Sequence, residues 1–185
     1  LEAARVCAER GHDVTILEAS ARLGGQILLA AKASWRKDLV GIVDWRASEL
    51  ERLGVRVRHN RYADIRDIEE ISPDVVIVAT GGIPDLNWIP GAEYCTTVWD
   101  VLTDNIDIND DVIVYDGTGR HAALTVAEKI RQRGGNVRLM AIDGALAMEM
   151  AYAEQVIWRR RSYEIDLSIE LDQRLVRGEK LGNRL

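Results

Sequence analysis

Residues 13–18 (DVTILE) form a short apolar run closed by an acid, and they follow a small-faced helix and a glycine. Residues 1–10 have helical spacing, with Ala3, Ala4, Cys7 and Ala8 on one face, and Gly11 is a stop signal. The run after it reads as a buried strand. An acid at its carboxyl end, Glu18, stands where ligands lie across the strand ends of a parallel sheet. Helix, glycine, apolar strand and terminal acid make up the second half of a βαβ nucleotide-binding unit. A first strand and a Gly-x-Gly-x-x-Gly turn belong ahead of it, and the sequence does not contain them.

The same pattern returns further along. Residues 23–26 read as a loop. Residues 36–52 read as an amphipathic helix with Leu39, Ile42, Val43, Ala47 and Leu50 on one stripe and Arg46 snorkelling from it. Residues 55–58 alternate like a strand, and residues 74–79 (DVVIVA) are a second continuous apolar strand ending in Thr80, Gly81 and Gly82. The pattern weakens over residues 83–109, where residues 99–102 suggest a short helix and a domain crossover is expected. Residues 111–115 (DVIVY) then start a fresh unit, followed by the turn Asp116-Gly117-Thr118-Gly119, a helix over 121–133 and a strand over 137–142. A helix over 148–163 and short strands at 165–169 and 174–177 complete the reading. The expected fold is α/β, with tandem Rossmann-like (FAD/NAD(P)-binding) units on parallel sheets, truncated at both ends. Residues 1–90 are expected to be one partial nucleotide-binding domain and residues 91–185 a second. The chain opens at Leu1 inside a helix and closes at residues 182–185 in a turn, so both ends are expected to be cuts through a larger protein.

Each candidate site residue has a structural alternative. Glu18 can accept two hydrogen bonds from ribose hydroxyls, or it is a solvated acid at a strand end. Gly24 and Gly25 allow backbone conformations and close approaches that a Cβ blocks, and Gln26 can bond a flavin or phosphate edge; an ordinary turn uses the same residues. Ala79, Thr80 and Gly81 let a cofactor lie against backbone, or they are a strand-to-loop turn. Gly117 and Gly119, with Ala122 in the third place, match the Gly-x-Gly-x-x-Ala form of the dinucleotide turn between a strand and a helix. Asp143 would be its ribose acid and would favour NAD over NADP. Against that reading, Arg120 and His121 are bulky, and the turn can be kept for helix packing alone. No residue stands out as a catalytic acid, base or nucleophile.

Composition excludes other classes. The 24 basic and 30 acidic residues leave a net charge of −6 with no basic stripe, which argues against nucleic acid. The run Arg159-Arg160-Arg161 reads as the solvated flank of a helix. Cys7 and Cys95 form no Cys-x-x-Cys pair and cannot ligate an iron–sulfur cluster, and His12, His59 and His121 lack metal-ligand spacing. No apolar run reaches membrane-spanning length and no signal peptide opens the chain, so a cytoplasmic setting is the expectation.

These residues carry a family resemblance. Leu1-Glu2-Ala3-Ala4-Arg5, Gly11-His12-Asp13-Val14-Thr15, Glu18 and Gly24-Gly25-Gln26 together resemble the carboxyl-terminal half of NADH:flavin oxidoreductases of the 2,4-dienoyl-CoA reductase, trimethylamine dehydrogenase and histamine dehydrogenase type. Residues 74–82 and 115–128 look like later segments of that family. Glu149-Met150-Ala151-Tyr152-Ala153 and the three arginines look closer to its amine-dehydrogenase and demethylase branch. The resemblance implies a parent with an amino-terminal FMN-binding barrel and an iron–sulfur cluster outside this chain. It implies a partial FAD/ADP-binding domain over residues 1–90 and a partial NAD(P)-binding-like domain over residues 91–185. It implies FAD or ADP held by Glu18, Gly24, Gly25, Gln26 and residues 79–81, with NAD(P)H at the second unit in the reductase branch. The implied role is electron relay between NAD(P)H and flavin, or a structural ADP module without chemistry. A homo-oligomeric parent is compatible with either.

Overall fold

The structure, a computed structural model, describes residues 1–106, 108 and 111–180, and the turn expected at 182–185 lies outside them. The chain divides into two compact units, Leu1–Gly82 and Ile83–Leu185. Each is α/β with a small parallel sheet.

In the first unit, helix α1 (Glu2–Glu9) leads to strand β1 (Thr15–Leu17), α2 (Gln26–Ala30), α3 (Val40–Arg52), β2 (Arg56–Arg58) and α4 (Ile65–Ile71). Strand β1 pairs in parallel with β2, Ile16 opposite Val57. Leu23, Val43 and Leu50 form the core, with Ala4, Ile16, Leu28, Ala47 and Val57 packed on it. The stripe expected on α3 is narrower than its periodicity suggests, because Ile42 is 41% exposed. Arg46 leaves the stripe for Glu2, its Nε donating to a carboxylate oxygen at 3.0 Å, and its guanidinium stacks against the Trp45 ring.

Two elements of this unit differ from the sequence reading. Helix α4 was not expected. It starts at Asp64, whose Oδ1 accepts from the amides of Arg66 and Asp67, while Asp67 Oδ2 accepts from the Asp64 amide at 3.0 Å. This reciprocal cap satisfies donors at the helix start. Asp67 is buried and takes the Arg61 guanidinium at 2.6 Å, which together with the Asp64 amide holds its carboxyl below the usual range. The second difference is residues 74–79, expected as a strand. They carry no strand, and Val75, Val76, Ile77 and Val78 are 48–79% exposed. Strand structure needs a ladder of backbone partners, and none of the described residues supplies one here.

The second unit runs α5 (Val98–Leu102), β3 (Val112–Asp116), α6 (His121–Gln132), β4 (Val137–Ala141), α7 (Tyr152–Glu164) and β5 (Ser168–Glu170). Its sheet is parallel in the order β3-β4-β5, with Asp116 opposite Ala141. Side chains alternate across a strand, so Val114, Asp116, Val137, Leu139 and Ala141 share the buried face on which α6 packs through Ala123, Leu124, Val126, Ala127 and Ile130. Residues 174–177, expected as a strand, have none assigned.

Ion pairs tie the helices of this unit together. Asp104 accepts Lys129 at 2.7 Å and also pairs with Arg133. Lys129 Nζ further donates to the carbonyl of Val101, holding the end of α5 against α6. In the expected solvated flank of α7, Arg161 departs from its neighbours and pairs with the buried Glu128 of α6, its Nε at 3.0 Å.

Two outcomes follow from these pairs. The hydrogen bonds from Lys129 and Arg133 lower the Asp104 carboxyl from 3.8 to about 2. A depressed acid stabilises the fold above its unfolded value and loses that contribution as pH falls through its folded value. Denaturation of wild type and Asp104→Asn should therefore differ at neutral pH, and the difference should shrink between pH 3.8 and about 2. Replacing Arg161 by Ala removes the cation facing a buried carboxylate and should cost on the order of 3 kcal/mol in urea unfolding. Adding Glu128→Met to that variant should recover most of the loss.

Candidate functional site

The first site is built by joining two sequence-distant loops. Gln26 opens α2, and its Nε2 donates to the carbonyl oxygen of Gly82 at 3.2 Å. Gly81, at φ +74°, lies beneath this link: a Cβ there would come within 3.5 Å of Gln26 Nε2. The Gly-Gly-Gln loop and the segment Ala79-Thr80-Gly81-Gly82 are thus brought together, and Ala79, Thr80 and Gly81 are all exposed.

The two glycines do different work. Gly24 has φ +128°, and a Cβ on it would sit 3.0 Å from Leu28 Cγ and from both Val43 methyls. Its conformation and its packing on the core each require glycine. Gly25, at φ +50°, has nothing within 4 Å of where a Cβ would stand, so its backbone is open on that side. Glu18 is anchored by the end of β2: its amide donates to Arg58 O at 3.0 Å and its carbonyl accepts from the Arg61 amide. One carboxylate oxygen, Oε1, accepts from the Ser20 amide at 2.8 Å. The other has no hydrogen-bond partner among the described residues and can accept from a ligand hydroxyl.

The second site is different in kind. Strand parity puts Asp116 on the buried face of β3, and the residue is 2% exposed. Its Oδ1 accepts from the amides of Thr118 and Gly119, both at 3.0 Å, and from the Thr118 hydroxyl at 3.1 Å. The turn that the sequence assigns to a dinucleotide is therefore capped from below by its own first residue. Gly119, at φ +60°, is buried, and a Cβ there would lie 2.7 Å from Asp143 Oδ2 and 3.3 Å from Glu149 Cγ. The Glu149 amide donates to Gly119 O at 3.2 Å. Gly117, Thr118, Arg120, Asp143 and Glu149 line an open cavity of about 490 Å³ at the mouth of this turn.

Three sequence-level details change here. Ala122, placed third in the glycine motif, is half-exposed, and Ala123 is the small residue packed inside. His121 does not crowd the turn: its Nδ1 accepts from the indole of buried Trp158 at 2.9 Å, and its Nε2 meets Glu154 at 3.1 Å. Asp116, the acceptor that holds this turn, is not among the candidates the sequence singles out. The available signal was its odd position in β3, where strand alternation puts a carboxylate on the apolar face. Among the described residues, no three His, Cys, Asp or Glu side chains are grouped to hold a metal.

No family model matches the chain. It is 50% identical over 177 residues to a multifunctional alkene reductase/demethylase of Caballeronia cordobensis, covering 95% of this chain and 26% of that protein. It is 38% identical over 186 residues to a probable N-methylproline demethylase of Rhizobium meliloti, covering 100% and 27%. Among solved structures it is similar to a 2-naphthoyl-CoA reductase, with a TM-score of 0.88 and 26% identity over 95% of this chain and 27% of that one. It shares the fold of histamine dehydrogenase from Rhizobium sp. 4-9, with a TM-score of 0.84 and 22% identity over 95% and 29%. The chain spans about a quarter of the length of the curated relatives it matches. Over nearly its whole length the chain is similar to about a quarter of each of these reductases and demethylases, in line with its resemblance to NADH:flavin oxidoreductases of the 2,4-dienoyl-CoA reductase, trimethylamine dehydrogenase and histamine dehydrogenase type.

Proposed function

We propose that this chain is the nucleotide-holding part of a larger flavin-dependent oxidoreductase, and that its first unit takes the adenine end of FAD, or ADP. The observation that carries this reading is the hydrogen bond from Gln26 to Gly82, because it gathers two small-residue loops into one exposed backbone surface. Gly25 offers an open backbone, and Ala79, Thr80 and Gly81 offer a second wall with a hydroxyl. Gly24 holds the loop against the core. Glu18 directs its free carboxylate oxygen to ribose hydroxyls, the role of an acid at a strand end in this fold. These residues fit a nucleotide. They bind and orient it, and a bound flavin would itself supply the electron chemistry.

In the reductase form of this proposal the chain relays electrons between NAD(P)H, seated at Gly117, Gly119 and Asp143, and FMN in an amino-terminal barrel of the parent. A second reading makes this region a structural ADP module of an amine dehydrogenase or demethylase, with no chemistry of its own. The likeness to the N-methylproline demethylase, and to an N,N-dimethylglycine/sarcosine dehydrogenase of Chromohalobacter salexigens at 34% identity, favours that second form.

Acid release of non-covalent nucleotides from the full-length protein, identified by mass, tests the proposal. FAD is the outcome for a relay and ADP for a structural module. Gln26→Ala should lower retention of that nucleotide roughly five-fold, the effect of losing one hydrogen bond. Wild-type protein that releases no adenine nucleotide would contradict the proposal.

A further inference from the structure

We infer that the second unit is closed to nicotinamide dinucleotides by its own carboxylates, with Asp116 as the determining residue. This inference rests on the reading of the parent as a flavin oxidoreductase; within that reading it rejects the relay form, which seats NAD(P)H at Gly117, Gly119 and Asp143, in favour of the structural ADP module.

A Gly-x-Gly turn opening a helix holds a pyrophosphate through two features. Backbone amides point at the phosphate oxygens, and the second glycine lacks a Cβ so that the backbone can approach them. Both features are already used within this protein. The amides of Thr118 and Gly119 point at Asp116 Oδ1, and the Thr118 hydroxyl bonds the same oxygen. A carboxylate oxygen thus occupies the place of a phosphate oxygen, and the cap comes from inside the fold, where a ligand cannot displace it. The bare face of Gly119 is filled as well: Asp143 and Glu149 stand where its Cβ would be, and the Glu149 amide bonds its carbonyl.

Charge points the same way. Asp143 and Glu149 line the mouth of the turn, Asp116 lies beneath it, and Arg120 is the single cation of the lining. A pyrophosphate bringing two negative charges would meet three carboxylates and lose water without gaining the turn amides. Asp116 Oδ2 is buried without a hydrogen-bond partner among the described residues, so the fold carries a polar cost to keep this carboxylate in place. The residues of this turn do not fit the dinucleotide that its glycine spacing suggests.

The test is equilibrium dialysis of NADH, NADPH and ADP-ribose against the full-length holoprotein. Its first-unit nucleotide is assayed in the same samples, so that failure of this inference and failure of the proposed function can be told apart. Wild type should show no saturable binding of any of the three at millimolar concentration. Asp116→Gly, which frees two amides, should bring ADP-ribose binding into the saturable millimolar range, a gain of at least about ten-fold. Asp116→Asn keeps the shape of the cap and removes its charge, and should gain less. Saturable micromolar binding of NADH to wild type that Asp143→Ala weakens would overturn the inference, as would ADP-ribose affinity unchanged in a folded Asp116→Gly protein. Should that variant not fold, the wild-type titration and Asp116→Asn decide the question.

Discussion

The parallel pairing of β3 with β4, Asp116 opposite Ala141, governs the chemistry of the second unit. Because strand side chains alternate, this register sends Val114, Asp116, Leu139 and Ala141 to the face covered by α6 and turns Ile113 and Arg138 away from it. An apolar residue at position 116 would simply extend the core under the turn. Asp at that position reaches the turn amides from below. One carboxylate thereby changes what a glycine-rich turn can do without altering the strand, the helix or the spacing between them. The first unit depends on a comparable constraint: parallel pairing of β1 with β2 holds Glu18 at the strand end through Arg58 and Arg61.

Much of the fold was legible because it follows from periodicity and punctuation. Helices ending near Gly11, Gly54 and Gly134, and the apolar runs after them, appear within a few residues of where their patterns put them. What was not legible depended on partners. Residues 74–79 have strong strand propensity, yet a strand is defined by its neighbour, and the described residues offer none. Helix α4 begins with a reciprocal Asp64–Asp67 cap that was visible as an Asp-x-x-Asp spacing. The helix it opens is only Ile65–Ile71, with Ile65, Ile68 and Ile71 as its apolar residues. The shift from Ala122 to Ala123 as the packed small residue is one position on a helix, or about 100° of rotation. Motif counting cannot resolve that.

The candidate site was legible as chemistry more than as geometry. Glycine pairs after apolar runs marked the loops, but the sequence did not show that Gln26 reaches Gly82, or that Gly24 serves packing while Gly25 stays open. Nor did spacing separate a turn that waits for a phosphate from one already capped, because the Gly-x-Gly pattern is common to both. The deciding residue stands one position before the motif. The two units therefore share glycine-rich loops after apolar runs and differ in what their backbone groups are free to bind.

In this protein the first unit presents backbone to an adenine nucleotide and the second withholds it. A high-resolution structure of the full-length protein with its natural nucleotide, soaked with ADP-ribose, tests this most directly. Adenine nucleotide is expected against Gly25 and Gln26, its ribose hydroxyls bonded to Glu18, with Asp116 still bound to the amides of Thr118 and Gly119. Phosphate density on those two amides, with Asp116 displaced, would contradict it.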